Sequence, residues 1–196
     1  MTRLLYGAAL AGSLVLAGCG PDLAGELTEL PIGGELGLAT TDGSTFRFAD
    51  HREDVELLYF GYTTCPDACP TALSRAAAVT RTLRERGGPE LADRLLVLLA
   101  TIDPARDSPD KLAEYLTFFG VNGLGLVGDE EEIAAAARRY GATYERVESG
   151  SAAGALFDHT THMYLIDRRG RVRRLVRSDD PIERVADWVA YLIEEG

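Results

Sequence analysis

The chain has 196 residues, 46% of them apolar and 26% charged, enough for one ordinary domain and unlike a disordered chain, a collagen or a polytopic membrane protein. Thirty-one acidic residues against 20 basic ones leave a formal charge of −11, which argues against a nucleic-acid partner, because phosphate binding needs a basic surface. Three cysteines are too few for a disulfide framework or a four-cysteine zinc site.

The N-terminus reads as a targeting segment. Arg3 precedes an apolar run over residues 4–16, which closes on Leu16-Ala17-Gly18-Cys19. A basic start, a short apolar core and small residues at the end have the form of a secretory signal, and the run is short for a membrane span, which needs ~20 apolar residues. The ending resembles the bacterial lipoprotein box, which implies a signal peptide over residues 1–18, lipid on Cys19, and an extracytoplasmic protein anchored to the membrane. The alternative is an uncleaved anchor helix. Either way the domain lies outside the cytoplasmic membrane, where an unprotected thiol pair tends to become a disulfide.

Residues 19–35, with Pro21, Pro31 and four glycines, read as a tether, so the domain spans 36–196. Residues 36–38 and 45–48 flank Thr41-Asp42-Gly43-Ser44, and Asp-Gly between extended segments predicts an N-terminal β-hairpin. Residues 55–62 and 95–102 are almost continuously apolar and predict strands buried on both faces. Helices are predicted over 70–86, stopped by Gly87-Gly88; over 109–119, capped by Ser108 and stopped by Gly120; and over 130–140, capped by Asp129 and stopped by Gly141. Short strands are expected at 124–127 and 143–147. Residues 148–155 read as a loop, because they are mostly small. Residues 159–167 and 171–176 predict a hairpin around Arg168-Arg169-Gly170. The last helix, over 181–194, carries one apolar stripe of Ile182, Val185, Ala186, Val189, Leu192 and Ile193.

Strands alternating with helices, then a hairpin and a helix, predict a three-layer α/β sandwich: a central mixed sheet with helices on both faces. A buried strand running into a cysteine pair at a helix N-terminus is the thioredoxin-like arrangement, although here three residues rather than two separate the cysteines.

Cys65 and Cys69 are at i and i+4. In a helical or nearly helical segment their side chains share a face, with Cβ atoms ~5–6 Å apart. The positive end of the following helix favours thiolate, the form that attacks disulfides and binds metals. Two thiolates with an open third position suit a soft, low-coordinate ion, and Cu(I) fits best on softness. The third ligand must come from elsewhere. His51 sits in the polar stretch Asp50-His51-Arg52-Glu53-Asp54 and reads as a solvated loop residue. On one regular strand His159 and His162 would face opposite sides, so a single one of them would point at the ion. His159 is the choice because it is nearer the start of the strand; His162 would share a face with Tyr164, and Met163 reads as packing. Asp103 and Asp107 follow the end of the second central strand, where ligands of α/β sheets gather. A role in supporting the metal ligands or in docking a partner is one reading of the pair, and turn and cap chemistry is the favoured reading for Asp107, beside Ser108-Pro109.

Three segments then carry a resemblance. Residues 61–70, Gly-Tyr-Thr-Thr-Cys-Pro-Asp-Ala-Cys-Pro, residues 101–109, Thr-Ile-Asp-Pro-Ala-Arg-Asp-Ser-Pro, and Asp158-His159-Thr160 leading into 163–167 are similar, in the same order, to signatures of the Sco/SenC family. The resemblance spans roughly residues 30–195. It implies a thioredoxin-like fold, copper held by Cys65, Cys69 and His159, and delivery of copper to, or thiol reduction of, the binuclear copper site of cytochrome c oxidase. The partners it implies are that oxidase subunit and other copper chaperones or thiol reductants. A competing reading is a thiol–disulfide oxidoreductase in which Cys65 attacks and Cys69 resolves. A thiol peroxidase ranks last, because no matching Thr and Arg set surrounds Cys65.

Overall fold

The computed structural model describes residues 22–147 and 156–195. The proposed signal and Cys19, and the small-residue loop 148–155, lie outside them.

Chain order is α1 (Leu23–Glu26), β1 (Ala39–Thr40), β2 (Val55–Gly61), α2 (Ala68–Ala92), β3 (Leu95–Thr101), α3 (Pro109–Phe119), β4 (Gly123–Val127), α4 (Glu130–Tyr140), β5 (Tyr144–Val147), β6 (Leu156–His159), β7 (Met163–Ile166), β8 (Val172–Val176) and α5 (Ile182–Glu195). Among the described residues the strands form a six-stranded sheet in the order β1-β4-β3-β2-β7-β8 and a separate two-stranded ribbon, β5-β6. Strands β2, β3 and β4 run parallel, while β1, β7 and β8 pair antiparallel. The sheet is therefore mixed and the architecture thioredoxin-like α/β.

Every residue of β2 and β3 is buried, which is why both segments are almost uniformly apolar. Alternation along β2 assigns its two faces. Gly61 abuts the Cys69 sulfur of α2, and Tyr59 lies on the same side. Phe60 packs against Tyr140 of α4, with ring centroids 5.9 Å apart, on the other side. Helix α5 packs beside α2, with Trp188, Val189 and Leu192 buried. The predicted helix punctuation holds. The Ser108 hydroxyl accepts from the Lys111 N–H, Asp129 and Glu132 form a reciprocal capping box, and Gly120 and Gly141 end their helices in the left-handed conformation. In α2, Gly87 and Gly88 (φ +76°) break the helix, after which a last turn beginning at Pro89 resumes.

Three expectations change. The N-terminal hairpin is present but short, with a single antiparallel bridge between Ala39 and Thr45. Thr40 N–H donates to Ser44 O and Phe46 N–H to Leu38 O, but the strand proper is two residues that pair with β4, and residues 48–50 form a 3-10 turn. The described part of the predicted tether, residues 22–35, is packed onto the domain. Leu27 is 1% exposed, its carbonyl accepts from Arg173, and Glu26 accepts from Trp188 Nε1 at 2.8 Å. Singly scattered apolar residues gave no periodicity by which to see this. Finally, residues 159–167 are not one strand: β6 ends at His159 in the ribbon and β7 starts at Met163 in the main sheet.

Candidate metal centre

Strand β2 delivers the chain to the carboxyl edge of the sheet, where a turn over residues 62–67 leads into α2. Cys65 precedes the helix and Cys69 lies in its first turn, so the pair is not set on a regular helix face. Instead the Cys65 sulfur sits where the helix presents its unpaired N–H groups and accepts from Cys69 N–H at 3.4 Å. Asp67, the residue in the N-cap position, makes no side-chain cap bond. The Cys69 sulfur accepts from Tyr62 N–H at 3.5 Å. Both cysteines are free thiols, Cys69 fully buried and Cys65 9% exposed.

Ribbon β5-β6 brings in the third side chain. His159 Nε2 lies 4.0 Å from the Cys65 sulfur and 3.8 Å from the Cys69 sulfur, and the three donor atoms lie within 4.8 Å of one another. Bonds of the length that thiolate sulfur and imidazole nitrogen make to a zinc-sized ion, spread at trigonal angles, would separate sulfur from nitrogen by ~3.8 Å. Both sulfur–nitrogen distances therefore stand close to the spacing a three-coordinate ion needs. His159 Nδ1 is 2.9 Å from the Thr160 carbonyl, and donating a proton there leaves the Nε2 lone pair for the ion. The rings of Tyr59 and Tyr62 meet the imidazole edge-on at 5.8 and 5.9 Å and hold its plane.

The two sulfurs are not equivalent. A hydrogen bond from the Cys69 thiol, helped by His159 and by the N–H groups of Asp67 and Cys69, holds Cys65 down to about 3 against the opposing effect of burial. The same bond, with burial, pushes Cys69 well above the ordinary thiol range. The opposed shifts favour thiolate on Cys65 and thiol on Cys69. Burial, and then the neighbouring cysteines, raise the Tyr59 hydroxyl, which lies beside the Cys69 sulfur.

Asp107 has the supporting role that its sequence context left open, and not the favoured turn-and-cap one. It is buried, and its carboxylate accepts from Thr63 N–H (3.1 and 3.3 Å), Thr63 Oγ1 (2.5 Å) and Thr101 Oγ1 (2.7 Å). It therefore ties the turn carrying Cys65 to the end of β3, and turn chemistry explains only its own N–H, which donates to Asp103 O. Asp103 is buried and ion-paired with Arg106, whose guanidinium lies 5.7 Å from the Tyr62 ring centroid. Spacing within 101–109 hinted at a polar cluster; only the fold shows that it reaches back 44 residues to Thr63.

The remaining histidines stay outside. His162 meets the Tyr164 ring edge-on at 4.8 Å, and Met163 is buried packing. His51 is half-buried rather than solvated, stacked on Phe46 at 5.1 Å.

The model of the SCO1/SenC family matches residues 25–194. The chain belongs to this family. Among relatives of this SCO1/SenC chain, a SCO2-like protein of Rickettsia felis is 32% identical over 172 residues, covering 85% of this chain and 82% of that protein. Protein SenC of Rhodobacter capsulatus is 34% identical over 163 residues, covering 83% and 71%. The copper-bound structure of Bradyrhizobium japonicum ScoI superposes with a TM-score of 0.71 at 30% identity, covering 82% of this chain and 99% of that one.

Proposed function

We propose that this SCO1/SenC protein is a copper-binding metallochaperone that holds copper through Cys65, Cys69 and His159 and passes it to the binuclear copper site of cytochrome c oxidase. The observation that supports this most directly is the convergence of two sulfurs and one imidazole nitrogen within 4.8 Å from segments about 90 residues apart. Two soft donors and one imidazole suit copper, and a set of three leaves a coordination position for an incoming thiolate. Transfer then proceeds by ligand exchange: the acceptor's thiolate adds at the open position, and the three ligands of this chain leave in turn. The oxidase subunit bearing the copper site is the receiving partner, and other copper chaperones or thiol reductants are the suppliers.

The test is copper stoichiometry and sulfur-to-Cu(II) absorption on the purified chain. Cys65→Ser, Cys69→Ser and His159→Ala should each lose most of the bound copper and the absorption band. Undiminished copper in His159→Ala would remove the imidazole from the site.

The unequal sulfurs support a second reading, reduction of a disulfide at the oxidase copper site to its two thiols. The Cys65 thiolate attacks a partner disulfide, forming a mixed disulfide and releasing one partner thiolate. Cys69, losing its proton, then attacks the Cys65 sulfur, closes the Cys65–Cys69 disulfide and releases the second thiolate, so two electrons pass to the partner. This exchange does not need His159, so it should persist in His159→Ala while copper binding falls.

We also propose that the domain acts outside the cytoplasmic membrane, anchored by lipid on Cys19. The support is the charged start, apolar run and small-residue ending of residues 3–19; among the described residues no helix is long and apolar enough to cross a membrane. Labelling with a radioactive fatty acid should mark the native chain and leave Cys19→Ala unmarked.

A further inference from the structure

A cleft of about 210 Å³ opens beside the cysteine turn, between the first two turns of α2 and the ends of β7 and β8. Its apolar wall is Ala68, Ala72, Met163 and Val176, and Thr71 stands on its rim. This volume takes one medium apolar side chain. Asp67, between the two cysteines, closes the end nearest the sulfurs. At the other end, two helical turns along α2, are Arg75 and Arg177. Arg75 Nη2 donates to the carbonyls of Asp180 and Arg177, but its Nε is buried with no acceptor among the described residues. Arg177 is exposed, and its side chain has no ion-pair partner among the described residues. In a chain of formal charge −11, two cations at one end of an apolar cleft stand out.

We propose that this cleft is where the protein receives its partner, and that it fits an extended segment bearing an apolar side chain next to a carboxylate. The apolar group fills the space against Met163 and Val176, and the carboxylate pairs with the exposed guanidinium of Arg177, with the charge of Arg75 beside it. Asp67 repels an acid at the opposite end, so the segment has one direction, with its acidic end away from the cysteines. The residues of the partner that follow then lie alongside Cys65. This deepens the transfer reading by naming the partner's chemistry at that same edge, and it rests on that reading for its purpose but not for its test.

The experiment measures binding of two fluorescently labelled peptides, Gly-Gly-Gly-Leu-Glu-Gly-Gly and Gly-Gly-Gly-Leu-Lys-Gly-Gly, to the metal-free reduced chain by anisotropy at low salt. The acidic peptide should bind about tenfold more tightly, the size of two partly exposed ion pairs, and the preference should shrink as ionic strength rises to ~0.15 M. Arg177→Glu should abolish the preference and Arg177→Lys retain most of it. Thr71→Trp, a change at an exposed position that fills the cleft, should weaken the acidic peptide about tenfold while leaving copper stoichiometry unchanged. Cys65→Ser should bind the peptide normally, which separates failure of the docking proposal from failure of the metal reading. Equal binding of the two peptides, or an unchanged preference in Arg177→Glu, would overturn the proposal.

Discussion

Replacing Asp107 with Ala isolates the support of the cysteine turn from its ligands. The carboxylate receives three donors, the N–H and hydroxyl of Thr63 and the hydroxyl of the fully buried Thr101. Hydrogen bonds to a charged group are worth ~1.5–3 kcal/mol each, but bonds to one acceptor do not add, and water entering the gap recovers part of the loss. The expected fall in unfolding free energy is about 3 kcal/mol, read by urea titration of the metal-free reduced chain. Asp107→Asn keeps the shape and one oxygen acceptor and should lose about half as much. The consequence for the metal is separate. With Thr63 released, the turn two residues before Cys65 gains freedom, and affinity should fall about 10–100-fold, as when the partners that orient metal ligands are removed. A competition titration with a Cu(I) chelator measures it. A double-mutant cycle with Thr63→Val should show coupling of at least ~1 kcal/mol. If Asp107→Ala unfolds within ~0.5 kcal/mol of the parent and binds copper equally well, the tie between β3 and the cysteine turn has no energetic content.

Other expectations are as direct. A Cβ on Gly61 would lie 2.9 Å from both the Cys69 sulfur and the Tyr59 ring, so Gly61→Ala should destabilise by ~1–3 kcal/mol and displace one sulfur, seen as a shifted or missing Cu(II)–sulfur band. Because Cys65 is held down to about 3 while Cys69 is raised, only Cys69 releases a proton when the ion binds between pH 7 and 9; the logarithm of the Cu(I) affinity should rise by about one per pH unit, and a slope near two would show both thiols protonated beforehand. Thiolate absorbance at 240 nm on the metal-free chain should report one thiolate through the same range, lost only as pH falls through about 3. Leu27→Ala should cost about 2–5 kcal/mol if the segment after residue 22 is docked, and nothing measurable if it hangs free.

How much of this was legible beforehand depends on the range of the interaction. The helices over 109–119 and 130–140 were readable to the residue, because Ser108, Gly120, Asp129 and Gly141 act within one turn of themselves. The central strands were equally plain, because burial on both faces leaves a continuous apolar run. Residues 22–35 were misread because they dock by single anchors, Glu26 on Trp188 and the Leu27 carbonyl on Arg173, with no period to detect. The expectation for His159 named the residue that reaches the sulfurs, but strand alternation does not apply, since His159 and His162 sit on either side of a break between two sheets. Asp107 acts on Thr63 across 44 residues, and no local signal carries that distance.

That break between sheets gives the centre two mechanical parts. Both sulfurs are seated on the main body, through β2 and the first turn of α2. The imidazole hangs on a two-stranded ribbon whose ladder bonds are its own, steadied against the body by contacts such as the 3.1 Å bond from Phe157 N–H to the Tyr62 hydroxyl. Tilting the ribbon by an ångström or two would loosen one bond to the cargo and leave the other pair untouched. A recipient therefore faces a latch rather than a cage: it needs to outcompete a single nitrogen to begin unloading, and whatever stiffens the lever at Tyr62 slows the release.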